Sequence, residues 1–170
     1  MSTAAQVMDP TQAAAGREFY ANSLDFEFAT TKKVLSAVKD GDWKPDPKAR
    51  SAKDLAWHIV ASEIWFLNGI ANQDFSPADE KAHMPATVAE MVSYYDTEYP
   101  KAMARVKALP ADKLAQIVDF YGMKMPNITF LGFALVHSVH HRAQLSTYLR
   151  PLGGKCPDIY GGSADVPWEG

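Results

Sequence analysis

His137 and His141 stand four residues apart in His137-Ser-Val-His-His-Arg-Ala-Gln-Leu-Ser-Thr-Tyr148, a segment that otherwise reads as a strong helix. Side chains at that spacing leave one helix face as neighbours, so two imidazoles can reach a common point a few ångströms off the axis. This is the geometry of a metal chelate. At about 100° per residue, Gln144 and Tyr148 fall close to the same stripe, whereas Arg142 points well away from it. Phe130, Leu131, Phe133, Leu135, Val136, Val139, Leu145 and Leu149 make the rest of the element apolar. A buried helix of that kind needs partners for its polar stripe. Catalytic zinc-type centres commonly take three protein ligands and keep a position for water or substrate, so a third ligand is expected from another element. His58 is the best candidate, because Leu55, Ile59, Ser62, Trp65 and Phe66 recur around it at helical spacing.

The neighbouring residues divide into several readings. His140 lies about 60° off the stripe and reads as a contact to a ligating histidine or to a second subunit rather than as a ligand. His83, in the polar, proline-flanked run Ser76 to Pro85, is expected to be solvated. Gln144 and Tyr148 either orient a ligand, contact substrate or only satisfy buried polar groups. Arg142 and Arg150 read as structural ion pairs or interface contacts, and Trp57 and Trp65 as core before pocket wall. Asp54 shares a face with His58 but equally suits the start of its helix, where a carboxylate favours the dipole. Glu63 is about 140° round the helix from His58 and points elsewhere. The sequence therefore shows no carboxylate base beside the proposed centre. Cys156 has no visible activating neighbour.

The elements that must position these groups are helical. One pattern covers roughly Arg17 to Val38, with Tyr20, Leu24, Phe28, Thr31 and Leu35 stepping by three or four, and ends at Asp40-Gly41. A second runs from about Ala52 to Ala71. A third begins at Pro85 or Ala86, where Thr87-Val-Ala-Glu90 has capping-box spacing, and Pro100 predicts a kink or break near Tyr99. The fourth is the histidine helix, about Ile128 to Leu152, stopped by Gly153-Gly154. Gln116 to Gly122 reads as a short extended piece, too isolated to define a sheet. The economical architecture is all-α: a four-helix bundle with a short link between helices two and three and a long connection between helices three and four.

The 170 residues make a single domain, with about 1–15 as an N-terminal extension and about 155–170 as an ordered, aromatic C-terminal tail. A net charge of −3 and a pI near 5.9 leave no electrostatic footprint for nucleic acid or an anionic membrane surface. One cysteine excludes an internal disulfide framework, the N-terminus lacks a signal-peptide pattern, and no apolar run approaches a membrane span. A cytoplasmic location is the expectation.

Taken together, Leu55-Ala-Trp-His58-Ile, His137 through Arg150 with its His-His-Arg-x-Gln signature, and Gly153-Gly-Lys-Cys-Pro-Asp-Ile-Tyr160 through Asp165 resemble the DinB-like family of damage-inducible bacterial proteins. The resemblance extends from the first helix to about Asp165. It implies a four-helix bundle, often dimeric, whose three histidines bind a divalent metal such as nickel or zinc. The implied ligands are His58, His137 and His141, the same three that spacing favours. Ala143 departs from the glycine usual between the arginine and the glutamine. Relatives in the wider superfamily include bacillithiol transferases, mycothiol-dependent isomerases and proteins described loosely as metal-dependent hydrolases, so the fold does not choose the reaction.

A three-histidine metal with open positions can generate hydroxide from water or bind and deprotonate a thiol. Hydrolysis also wants a proton acceptor beside the metal water. The missing carboxylate favours transfer of a low-molecular-weight thiol to a small-molecule substrate. Metal-dependent hydrolysis, a non-catalytic metal-binding stress protein and a binding module that has lost catalysis remain alternatives. The expected partners are a small molecule and a second copy of the chain, with no nucleic acid and no membrane.

Overall fold

The structure, a computed structural model, describes residues 8–168. Four long helices form the bundle: α1 (Pro10–Ser36), α2 (Ala52–Asn72), α3 (Val88–Lys107) and α5 (Thr129–Tyr148). Between α3 and α5 lie a short helix, α4 (Ala111–Ala115), and an antiparallel hairpin of β1 (Ile117–Phe120) and β2 (Met123–Pro126). The chain is all-α in class, and the hairpin is its one sheet among the described residues.

Helix α1 begins at Pro10 rather than Arg17, because the sequence supplies a start signal upstream of the periodic stripe. Asp9 accepts a hydrogen bond from the Thr11 amide at 2.7 Å, and Pro10 takes a first-turn position where its missing N–H is no loss. Of the extension expected over 1–15, residues 1–7 lie outside the described residues. Helix α2 is apolar nearly all round, with Leu55, Ile59, Leu67 and Ile70 buried, and it packs between α3 and α5. Ser51 caps it, and Asp54 stays at that end, bonded to the Ser51 hydroxyl at 2.9 Å and to Lys81 Nζ at 3.1 Å. Asp54 is thus a helix-start residue and takes no part in the histidine site.

The capping box at Thr87 and Glu90 forms as its spacing predicts. Helix α3 does not break at Pro100. That residue is exposed, so the carbonyl it strands can be hydrated, while Tyr95, Tyr99 and Met103 anchor the opposite face in the core. The extended piece after α4 finds a partner in Met123-Lys-Met-Pro126, whose composition carries no strand signal. The connection from α2 to α3, expected to be short, occupies 73–87 and lies against α2. Gly69 permits that approach: the Phe75 ring sits 2.5 Å from where a Cβ on residue 69 would stand.

Two buried polar clusters tie the bundle together. Arg142 is enclosed and donates to the Glu27 carboxylate, to Thr31 Oγ1 at 3.2 Å and to the Tyr160 hydroxyl. Tyr160 in turn donates to Glu27 at 2.9 Å, which fastens the C-terminal segment to α1. Further clasps join Lys33 to Asp158 at 2.6 Å and Arg150 to Asp165 at 2.8 Å, while Trp168 is exposed. In the second cluster, the fully buried Glu63 accepts from the Tyr95 hydroxyl, and its Oε1 and the Ser138 hydroxyl lack partners among the described residues. Burial is the main cause that pushes the Glu63 carboxyl up to about 7.

Candidate metal centre

Helices α2 and α5 face each other along the stripe that carries the histidines. The structure brings His58, His137 and His141 together, with one ring nitrogen from each within 4.8 Å of the others. His58 Nε2 and His141 Nε2 are 3.3 Å apart, and the His137 ring lies 4.4 Å from that of His141 between centroids. His83 is exposed and stays apart from this group, and His140 lies on an outer groove between α1 and α5.

The outer nitrogen of each ring has its own partner. His58 Nδ1 donates to Glu80 Oε2 at 2.6 Å. His141 Nδ1 donates to Gln144 Oε1 at 3.1 Å, and the amide side of Gln144 donates to the Tyr148 hydroxyl at 3.3 Å. The Ser62 hydroxyl spends its proton on the His58 carbonyl, at 2.5 Å, so its lone pairs face His137 Nδ1 at 3.4 Å. With the Nδ1 positions acting as donors, the Nε2 atoms of His58 and His141 both keep a lone pair and stand 3.3 Å apart. Two lone pairs at that distance repel unless a cation lies between them. The donor set therefore fits a divalent ion, with Glu80, Ser62 and Gln144 holding the rings in the ligating tautomer.

The electrostatics agree. Burial first, then nearness to His141 and His58, pushes His137 down to about 4, and burial likewise lowers His141 against the opposing effect of Gln144. Both rings are neutral, ligand-ready imidazoles near pH 7. Glu80 is partly desolvated, yet its pairing with His58 and with Arg50 holds its carboxyl below the usual range. Glu80 is the functional residue that the sequence reading missed. It sits in the polar, proline-flanked segment that also holds His83, and only the fold of residues 73–87 against α2 carries it to His58. The tendency of ligating histidines to engage a carboxylate predicts such a partner but cannot select it from the sequence.

A cavity of about 530 Å³ opens beside the cluster, reaching His58 and His137. Trp57 and Trp65 belong to the packed interior and also line this cavity, so they serve as core and as wall. Glu63 faces away into the buried cluster with Tyr95. Glu80, the one carboxylate among the described residues that bonds a cluster histidine, is already engaged by His58 and by Arg50 at 2.8 Å.

A sequence model of the DinB family matches residues 3–167. YrdA of Bacillus subtilis (strain 168) is 29% identical over 150 residues, covering 85% of this chain and 87% of YrdA. YjoA of the same strain is 29% identical over 114 residues, covering 65% of this chain and 73% of YjoA. The crystal structure of a DinB-like protein from Bacillus cereus ATCC 10987 superposes with a TM-score of 0.72 at 25% identity, covering 84% of this chain and 97% of that one. The crystal structure of YjoA superposes with a TM-score of 0.67 at 20% identity, covering 88% and 95%, a likeness of fold.

Proposed function

The chain belongs to the DinB family, and from that premise we propose that it is a divalent-metal protein that transfers a low-molecular-weight thiol to a small electrophile. His58, His137 and His141 are the ligands in this reading, with nickel or zinc as the ion. The observation that carries it is the convergence of the three histidines with Nδ1 of each ring engaged from outside, by Glu80, Ser62 and Gln144. When bound, such an ion lowers the pKa of a thiol brought to it. The chain's own residues do the rest. The three imidazoles fix the approach, Glu80 steadies His58, and the adjoining cavity holds the electrophile against the cluster. The thiol proton leaves to solvent, the sulfur lone pair forms the bond to carbon, and the bond to the leaving group breaks.

Glu80 favours thiol transfer over hydrolysis, because a carboxylate shared by His58 and Arg50 is not free to take a proton from water. No helix of the described residues is long and apolar enough to cross a membrane. A homodimer fits the exposed apolar strip of Phe19, Phe26 and Val136 on α1 and α5, which a second copy would cover. The test of the reaction is a metal-loaded assay across several small thiols with a chromogenic haloarene. The reading expects turnover that depends on metal and disappears in His137→Ala. Equal rates in the wild type and that variant would overturn it.

A further inference from the structure

Phe120 pairs with Met123, so Tyr121 and Gly122 form a two-residue hairpin loop. Their φ values are +52° and +87°. Positive φ at both loop positions is what a type I′ turn requires, and asparagine, aspartate or glycine are its usual occupants. Gly122 meets that demand, and its amide donates to Asp119 Oδ1 at 2.9 Å. Tyr121 does not: an L side chain in this region is strained, and its ring is left 65% exposed. What the residue gains is position, at the mouth of the cavity beside the histidine cluster.

Trp57, Trp65, Phe66, Tyr94 and Phe120 form the aromatic part of that cavity's wall. The indole N–H groups are already committed, Trp57 to the Glu80 carbonyl and Trp65 to the Ser76 carbonyl at 3.1 Å, so these two walls offer ring surface rather than donors. Two carboxylates, Asp79 and Glu80, line the cavity together with the imidazoles of His58, His83 and His137, and among the described residues no lysine or arginine does. Arg50 and His58 share the charge of Glu80, whereas the Asp79 carboxylate accepts, among the described residues, only the Lys81 amide at 2.9 Å. Aromatic faces with a carboxylate at hand welcome a ring and a cation and repel an anion.

We propose that this cavity binds a planar aromatic molecule without negative charge, and that Tyr121 is the residue that closes over its ring. The proposal deepens the reading of the site by naming the class of the small-molecule substrate, and it rests on that reading only for the substrate's orientation toward the histidines. The experiment is calorimetric titration of the full-length, metal-free protein with 1-naphthylmethylamine, 1-naphthalenemethanol and 1-naphthoate. The amine and the alcohol are expected to bind at least about tenfold more tightly than the carboxylate. Tyr121→Asn is expected to weaken the amine about fivefold while its thermal midpoint stays level or rises, since asparagine suits the turn. Naphthoate binding as tightly as the amine would overturn the proposal, as would unchanged affinity in Tyr121→Asn. The same titrations with zinc-loaded protein separate the two readings: failure of zinc to bind would remove the metal centre and leave the metal-free result standing.

Discussion

Replacing Glu63 by glutamine should flatten one limb of the protein's stability against pH. In the folded chain burial raises this carboxyl from 4.5 to about 7, while the Tyr95 hydroxyl donates to it. The unfolded chain therefore releases the Glu63 proton near pH 4.5 and the folded chain keeps it to about 7. Across that window the unfolded state binds fewer protons, so the contribution is fully present below the lower value and is lost as pH rises to the upper one. At about 1.4 kcal/mol per pH unit the loss is about 3 kcal/mol. His137 acts in the opposite sense, because its lowered value costs stability as pH falls from 6.5 toward about 4. Glutamine keeps an acceptor for Tyr95 and offers the Ser138 hydroxyl a donor, with nothing to titrate. Urea unfolding of metal-stripped wild type and Glu63→Gln at pH 4.5, 6 and 8 cancels the histidine terms in the difference. The variant should gain on the wild type by about 3 kcal/mol between the ends of that range. Parallel stability curves would refute the assignment of a buried, protonated Glu63.

Glu80→Gln removes the carboxylate that fixes His58 and should weaken zinc binding by about 10–100-fold, measured by competition with a chromophoric chelator. Arg142→Met strands the Glu27 carboxylate in the interior and should cost about 3–5 kcal/mol in chemical denaturation. In sedimentation velocity, Phe26→Lys should turn a dimer into a monomer with an unchanged circular dichroism spectrum, since Phe26 is exposed on the chain itself.

The parts of the fold legible in the sequence are those written as periodic burial. Helices α2 and α5 follow from apolar spacing, and the start of α3 from the Thr87 and Glu90 box. The convergence of His58 with His137 and His141 was legible for the same reason, because each lies on the inward stripe of a buried helix. What escaped was set by tertiary contact. Tyr121 occupies a left-handed turn position that its side chain disfavours, and β2 is Met-Lys-Met-Pro, so local preference could not announce the hairpin. Glu80 reaches His58 through the packing of Phe75 on Gly69, a contact between a loop and a helix face that no spacing rule encodes. Of the kink or break expected at Pro100, the break does not occur, since solvent can satisfy what an exposed proline leaves unbonded.

The central claim is that His58, His137 and His141 hold one divalent ion, and the most direct measurement is elemental analysis of untagged protein purified without chelator, beside His58→Ala and His137→Ala. The account predicts about one nickel or zinc per wild-type chain and none retained by either variant, with the helical spectrum of both intact because the apolar faces of four helices supply most of the folding energy. Metal-free wild type that also fails to take up added zinc, or variants that keep the metal, would contradict it.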